Sequence, residues 1–296
     1  MKKSKSYPFI LAGFTAPALL FFTVLVAYPI VEAIYGAMLN WDGISAGKWI
    51  AFQNYSKLFS SSVFMRCQTN TIIYLAVMLG YMLIIGALAA ILLTTLRSRI
   101  KDLFRSAYFL PVIISTTVVC QMWLSFFNYD TGAINQLFAA MGFSYRQEWL
   151  TDSSTAIITV AFVNAWQYMG LAFMMYYTNV RSIPEEYFEA ARIDGANVFQ
   201  IHRYITLPLV QEALRFTLVF AVSASIRAFD TIFIMTGGGP GDYTNTLAYL
   251  MYKSAFLQGK YGYGCAVSVV IVVESLICYF VVNKIVNSRD VYKERG

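Results

Sequence analysis

SIPEEYFEAARIDGANVFQIHRYITLP, residues 182–208, is the longest charged interruption in a chain that is otherwise mostly apolar. Glu185, Glu186, Glu189, Arg192, Asp194 and Arg203 fall within it, between two apolar runs each long enough to cross a bilayer. Ser182 with Glu185 three residues on is a capping-box pattern, and Pro184 sits in the first turn, where its missing N–H costs nothing. The three glutamates place negative charge where a helix dipole favours it. Ala190-Ala191 leaves a low surface beside Glu189. Asp194-Gly195 then reads as a stop and a restart, with Gly195 left-handed and Asp194 capping the next helix. A short helix, a sharp turn and a second amphipathic segment (Val198, Phe199, Ile201, Ile205) are therefore expected, running into a membrane helix at Leu207-Pro208.

The rest of the chain explains why the interruption matters. Of 296 residues, 58% are hydrophobic and only 13% charged, and mean hydropathy is +0.57. Soluble domains are about a quarter charged, so this composition belongs to an integral membrane protein. The net charge of +6 does not form one patch. The cations cluster at the ends of apolar runs, which assigns them to topology and excludes a nucleic-acid partner. Four scattered cysteines and a single histidine, His202, offer no metal site.

Six apolar segments can be marked at residues 9–39, 69–96, 106–127, 155–180, 209–235 and 264–286. Each is near or above the ~20 residues that span hydrocarbon as a helix. The expected fold is all-α: a polytopic membrane protein with six transmembrane helices. The first segment is too long for a signal-peptide core and is read as a retained membrane helix; Pro17 and Pro29 are expected to kink it. Residues 1–68 form an N-terminal tail, first helix and outward amphipathic loop. Residues 69–286 form the core, with the charged loop at 182–208, and 287–296 form a C-terminal tail.

Orientation follows from Lys and Arg. One set of flanks holds Lys2, Lys3, Lys5, Arg97, Arg99, Lys101, Arg105, Arg181, Arg192, Arg203, Arg215, Lys284, Arg289, Lys293 and Arg295. The alternate set holds Lys48, Lys57, Arg66, Arg146, Lys253 and Lys260. This bias puts both termini and the 182–208 loop in the cytoplasm.

Ionisable groups inside membrane segments are expensive and mark functional candidates. Arg227 and Asp230, three apart in the fifth segment, are expected to share a helix face as an ion pair or to line a polar path. Glu274 lies mid-segment in the sixth, with Arg227 or a substrate as its expected partner. Asn164 and Gln167, near Trp166 and Tyr168, form a polar-aromatic patch suited either to interhelical hydrogen bonds or to sugar hydroxyls and pyranose faces. Gly237-Gly238-Gly239-Pro240-Gly241 lacks the Lys-Ser/Thr of a phosphate loop and falls on the outward side. No catalytic motif is visible. On composition and topology alone, an ion-coupled secondary transporter of small polar solutes, a channel and a membrane enzyme compete with an ATP-driven importer. The first of these calls for paired repeats with coupling carboxylates in both halves, and Asp230 and Glu274 both lie in the last third.

Glu189-Ala190-Ala191, then Asp194-Gly195-Ala196, then Ile205-Thr206-Leu207-Pro208 resembles the "EAA" loop of ABC importer permeases. Phe229-Asp230-Thr231-Ile232-Phe233, Thr236-Gly237-Gly238-Gly239-Pro240 and Tyr261-Gly262-Tyr263-Gly264 look like the carbohydrate branch of that family, similar to a maltose-type first permease. The likeness covers about Phe9 to Val286. It departs at Ile201-His202, where relatives often carry an aromatic, and it lacks the large outward insertion of the maltose protein, which argues against maltose itself. The resemblance implies a type I transmembrane domain in the bacterial plasma membrane. It implies a second homologous permease, two cytoplasmic ATPase subunits that bind ATP and Mg, and an extracytoplasmic sugar-binding protein. No cofactor and no enzymatic activity belong to the chain itself. Tyr187, Phe188, Glu189, Ala190, Ala191, Asp194, Gly195 and Ala196 would then be the ATPase-coupling residues, with Glu189 paired to a basic ATPase residue.

Overall fold

A computed structural model describes residues 7–95 and 98–285. Lys2, Lys3, Lys5, Arg97, Arg289, Lys293, Arg295 and the expected tail 287–296 lie outside the described residues. The described chain is helical throughout its spans, and its sheet is one two-residue antiparallel pair, Leu39–Asn40 with Lys48–Trp49. Four helices are long and apolar enough to cross a membrane: α1 (Ala12–Gly36), α2 (Ser62–Leu93), α5 (Ala156–Arg181) and the last, α10. Between α2 and α5 lie α3 (Ser98–Ile113) and α4 (Thr116–Phe126). After α5 come α6 (Glu185–Ile193), α7 (Val198–Leu209), α8 (Gln211–Ile226) and α9 (Asp230–Met235). Helix α10 is Tyr261–Ile285. The pairs α3–α4 and α7–α8 bring the number of candidate spans to six, and both pairs are sharply bent.

Three of the expected segments are therefore altered in detail. The first stays one helix through both prolines and ends at Gly36. A π-helical stretch at Thr23–Ala27 ends two residues before Pro29 and opens the turn where the proline ring would meet a carbonyl. The same device recurs at His202–Thr206, ahead of Pro208. The third segment is not straight: α3 and α4 meet at 100°, and Ser115 leaves the helical region with ψ 137°. The fifth stops at Ile226, and the residues after it do not continue the helix.

The described residues group into two units, one drawn from 7–64 and 250–272, the other from 65–95, 98–249 and 273–285. In the first, the connection after α1 is tied down by Asn54, whose buried side-chain amide donates to the carbonyls of Ala37 and Leu39, each at 2.9 Å. Asp42 accepts from the backbone of Ile44 and Ser45, which holds its carboxyl below the usual carboxylate range. Gly262 packs so closely that a Cβ there would lie 2.0 Å from the Leu39 carbonyl oxygen, which explains one glycine of the YGYG run.

In the second unit α5 is the central helix, with fourteen buried residues along its length. Without a hydrophobic force between helices in lipid, close packing needs small side chains. Gly86 of α2 meets Ala172, and Gly170 of α5 meets the backbone of α3 at Tyr108. A Cβ at Gly170 would sit 2.1 Å from the Tyr108 carbonyl oxygen, whereas one at Gly80 would meet nothing within 4 Å. Gly170→Val should thus separate α3 from α5, at or above the ~1–3 kcal/mol typical of overpacking, because backbone cannot step aside. Thermal melting of the detergent-purified protein should fall clearly for Gly170→Val and hold for Gly80→Ala. Equal melting temperatures would refute this close approach.

Candidate functional site

The first helix of the charged loop begins two residues later than its sequence pattern implies. Ser182 ends α5: its N–H reaches back to the Thr178 and Asn179 carbonyls, and its hydroxyl donates to Asn179 at 2.8 Å. No Ser182–Glu185 capping box forms. Pro184 instead takes the N-cap position with ψ 138°, and α6 starts at Glu185.

At the other end Gly195 has φ +79°, a conformation that L side chains enter at a cost of about 1–2 kcal/mol. The Ala196 N–H donates to Ala191 at 2.9 Å and the Gly195 N–H to Arg192 at 3.1 Å, the two bonds of a Schellman turn. The next helix is capped by Asn197, not Asp194. Asn197 accepts from the Gln200 N–H at 2.9 Å, and the Gln200 side chain accepts from the Asn197 N–H at 2.8 Å. That is a complete capping box, which left Asp194 as the C-cap of α6.

Glu189, Ala190, Asp194 and Gly195 are exposed, and Ala191 and Ala196 are half-buried. Glu189 takes part in no ion pair among the described residues; those recorded are Arg146–Asp130 and Arg192–Glu185. The second, at 3.7 Å and well exposed, contributes little stability. Tyr187 faces outward, 42% exposed, while Phe188 turns into a cavity of about 550 Å³ shared with Tyr177, Val198 and Ile201. Ile193 and Phe199 flank the turn at 86% and 76% exposure, so the loop's outer face presents apolar side chains around an unpaired carboxylate.

A second candidate site lies at the helix breaks. Asn164 and Tyr168 of α5 are one turn apart, and Phe220, Ser223, Ala224 and Arg227 recur at i, i+3, i+4 and i+7 along α8 and its C-cap. With Thr116, Phe229, Asp230 and Thr231 they line a cavity of about 360 Å³. The expected Arg227–Asp230 pair on one helix face is not present. Arg227 is the C-cap of α8 (φ −97°, ψ 13°) and Asp230 opens α9, so the two reach the same cavity from different helices. The Arg227 Nε donates to the Ser223 carbonyl at 3.3 Å. Tyr168 and Phe220 rings approach to 5.5 Å, giving the cavity an aromatic wall beside amide, guanidinium, carboxylate and hydroxyl groups.

The other two sequence candidates lie elsewhere. Gln167 is buried and donates to the Ile114 carbonyl at 3.0 Å and to Thr116 Oγ1 at 3.3 Å, bracing the α3–α4 bend. Glu274 accepts from the Gln68 side-chain amide and lines a separate, mostly apolar cavity with Thr71, Ser225 and Cys278. It does not meet Arg227. Thr116, Phe220, Ser223, Phe229 and Thr231 were not among the site candidates read from the sequence, because an isolated hydroxyl or aromatic ring in an apolar span has no local mark that separates it from a packing residue. Only the stripe ending at Arg227 could have drawn in Phe220 and Ser223.

The glycine-rich run is a packed loop. Gly238 has φ +80° and lies against Asn245 and Tyr249; Thr244 donates to the Gly239 carbonyl at 2.7 Å, and Tyr249 to Gly237 at 2.7 Å. Arg66 lies 4.1 Å over the Tyr243 ring and donates to Gly241. Among the described residues no three His, Cys, Asp or Glu side chains gather closely enough to hold a metal ion.

With this geometry in view, residues 43–289 match the family model described as "Binding-protein-dependent transport system inner membrane component". The chain is 35% identical over 279 residues to the probable ABC transporter permease protein YurN of Bacillus subtilis, covering 93% of this chain and 94% of that one. It is 28% identical over 250 residues to the multiple sugar-binding transport system permease protein MsmF of Streptococcus mutans, covering 84% and 85%. A solved bacterial ABC transporter that imports the acidic polysaccharide alginate superposes with a TM-score of 0.82 at 21% identity, over 95% of this chain and 96% of that one. The alginate transporter is also solved with an alginate pentasaccharide-bound periplasmic protein, where the TM-score is 0.81 at 20% identity.

Proposed function

The chain belongs to the family of binding-protein-dependent transport system inner membrane components, and from that premise we propose how it conducts its substrate and is driven. It is a permease subunit of an ABC importer with the type I transmembrane fold, not an enzyme. Its substrate is a carbohydrate, delivered by an external binding protein. It works beside a second homologous permease, and two cytoplasmic ATPase subunits supply ATP and Mg. The reading as an ion-coupled secondary transporter has no support in this family.

The observation that carries the sugar assignment is the cavity at the α8–α9 break. Asn164, Arg227 and Asp230 present the donors and acceptors that vicinal hydroxyls need, and Tyr168 and Phe220 offer ring faces for the C–H side of a pyranose. The names of relatives such as MsmF point the same way. Uptake through an energised complex should drop about ten-fold or more in Asn164→Ala, the loss of one well-placed hydrogen bond to a polar substrate. Its membrane level and subunit association should not change. Wild-type uptake kinetics in that variant would remove the cavity from the path.

Charge asymmetry supports placing both termini and the α6 loop in the cytoplasm. An impermeant thiol reagent applied to intact cells should label Ile44→Cys, a site 95% exposed in the chain, above the parent's background. It should label Ile193→Cys only after permeabilisation. The reverse pattern would invert the topology.

The α6 loop is the coupling element. Its exposed, unpaired Glu189 offers a carboxylate to a basic ATPase side chain, and Ile193 and Phe199 offer apolar surface around it. ATP-driven closure of the ATPase pair can bias the permease only through contacts that differ between its two states, and this loop is the contact proposed. Glu189→Lys is expected to abolish uptake and to release the ATPase during purification, while the permease itself remains in the membrane at its normal level. Retained co-purification together with retained uptake would rule out docking through Glu189.

A further inference from the structure

Two cavities meet at the root of the loop. The first, about 320 Å³, is a groove with a nearly continuous apolar wall from Leu83 and Ala87 of α2, Val180 of α5, Leu207 of α7 and Leu214 of α8. The exposed Arg203 and the half-buried His202 complete its lining. The second is the 550 Å³ chamber under α6, where Lys101, Arg181 and Arg192 line the wall and Glu185 is the one carboxylate among its lining residues. Val180, His202 and Thr206 line both cavities, so the apolar groove and the basic chamber adjoin at these three residues.

The two halves ask for different chemistry in one ligand. The groove lies between helices long and apolar enough to cross a membrane, and its floor has almost nothing to offer a polar group. The chamber is lined mostly by cations, and Arg203 adds one to the groove. Arg203 is exposed and joins neither recorded ion pair; Arg181 lies 5.8 Å over the Tyr177 ring; Arg192 is partly neutralised by Glu185 at 3.7 Å. A free phosphate would fill the basic half and leave the groove empty. An uncharged lipid or an apolar peptide would fill the groove and bring no anion to Arg203 and Arg181. An amphiphile with an anionic head and an alkyl chain satisfies both.

We propose that this composite site binds an anionic phospholipid, its chain in the groove along Leu83, Ala87 and Leu214 and its phosphate at Arg203 and Arg181. The lipid then bridges α2 and α5 to α7, the segment joining the exposed loop to α8. Acidic phospholipid becomes a structural ligand of the joint between the charged loop and α8, and loop order becomes sensitive to membrane composition. The proposal draws on the functional reading only for the leaflet involved, since the bulk of the cations marks the inner face.

Native mass spectrometry tests it without any transport assay, so its outcome is separable from that of the sugar and docking assignments. The full-length protein, purified from membranes and exposed to equal phosphatidylglycerol and phosphatidylcholine, is expected to retain phosphatidylglycerol selectively. An Arg181→Ala/Arg203→Ala double variant should lose about 30-fold in that retention, from two phosphate-facing cations. Ala87→Phe should displace the lipid while leaving both cations in place, and Arg203→Gln serves as the milder variant should the double one fail to fold. Equal retention of phosphatidylcholine, or undiminished phosphatidylglycerol in Arg203→Gln and the double variant, overturns the proposal. Displacement of the lipid by millimolar inorganic phosphate would mark a free-anion pocket and also overturn it. A photocrosslinker at position 207 should capture lipid; capture of protein alone would assign the groove to a subunit interface and sink the lipid reading.

Discussion

A peptide group in an apolar surrounding must find a hydrogen-bond partner, and this requirement governs where the chain leaves its helices. Within the second unit the helical ladder is interrupted at Ile114–Ser115, at Arg227–Phe229 and through the 236–246 loop. At each interruption a side chain supplies the missing donor. Gln167 reaches the Ile114 carbonyl at 3.0 Å, Thr246 reaches Ala228 at 2.5 Å, and the Asn70 amide spans Tyr243 and Asn245 at 2.8 Å each. Leaving such a carbonyl unpaired would cost about 2–7 kcal/mol. Buried Gln167, Thr246 and Asn70 are therefore conditions for the broken spans to exist.

The breaks in turn create the cavity. Were α8 to continue through residue 230, Arg227 and Asp230 would lie on adjacent turns of one face and neutralise each other. Because α8 ends at Ile226 and α9 starts at Asp230, the two charges enter a common cavity from separate helices, with Ser223 beneath the guanidinium. The α3–α4 bend contributes Thr116, whose hydroxyl also meets Gln167. One amide thus secures the corner and, through Thr116, one wall of the cavity. Asn164, three residues before it on α5, faces that cavity.

How much of this could be read from residues alone depends on the kind of information each feature carries. The uninterrupted apolar helices were legible because length and hydropathy decide them, and so was Gly195, because few residues but glycine tolerate its φ. The start of α6 is not legible in the same way: the Ser182 hydroxyl has the Asn179 carbonyl of α5 within reach, and a sequence does not say which helix a hydroxyl will serve. The same ambiguity moved the second cap from Asp194 to Asn197, where Gln200 completes a box that three-residue spacing also permits. The Gln68–Glu274 contact joins residues more than two hundred positions apart and had no local signature. The bends were hidden because a run of apolar residues reads as one span however its backbone is satisfied, and the partners that permit the bend are remote in sequence.

The nine residues of α6 are too few to hold a helix by propensity alone, since isolated helices below ~12–15 residues are marginal in water. Its order comes from its ends and its floor: Pro184 and the Schellman turn fix the termini, and Phe188 anchors the middle. The Asn197 box then starts α7 without slack, and α7 meets α8 at Val210 through a 65° bend. Helix α8 carries Phe220, Ser223 and, at its cap, Arg227. A displacement applied at Glu189 therefore has a short path to the cavity: across one glycine turn, along α7, and into the helix that forms a cavity wall. The π-helical stretch at His202–Thr206 is the widest turn, and it lies where the groove and the basic chamber adjoin. A ligand seated there would touch a stretch wound more widely than an α-helix, so the proposed lipid stands between the proposed docking loop and α8.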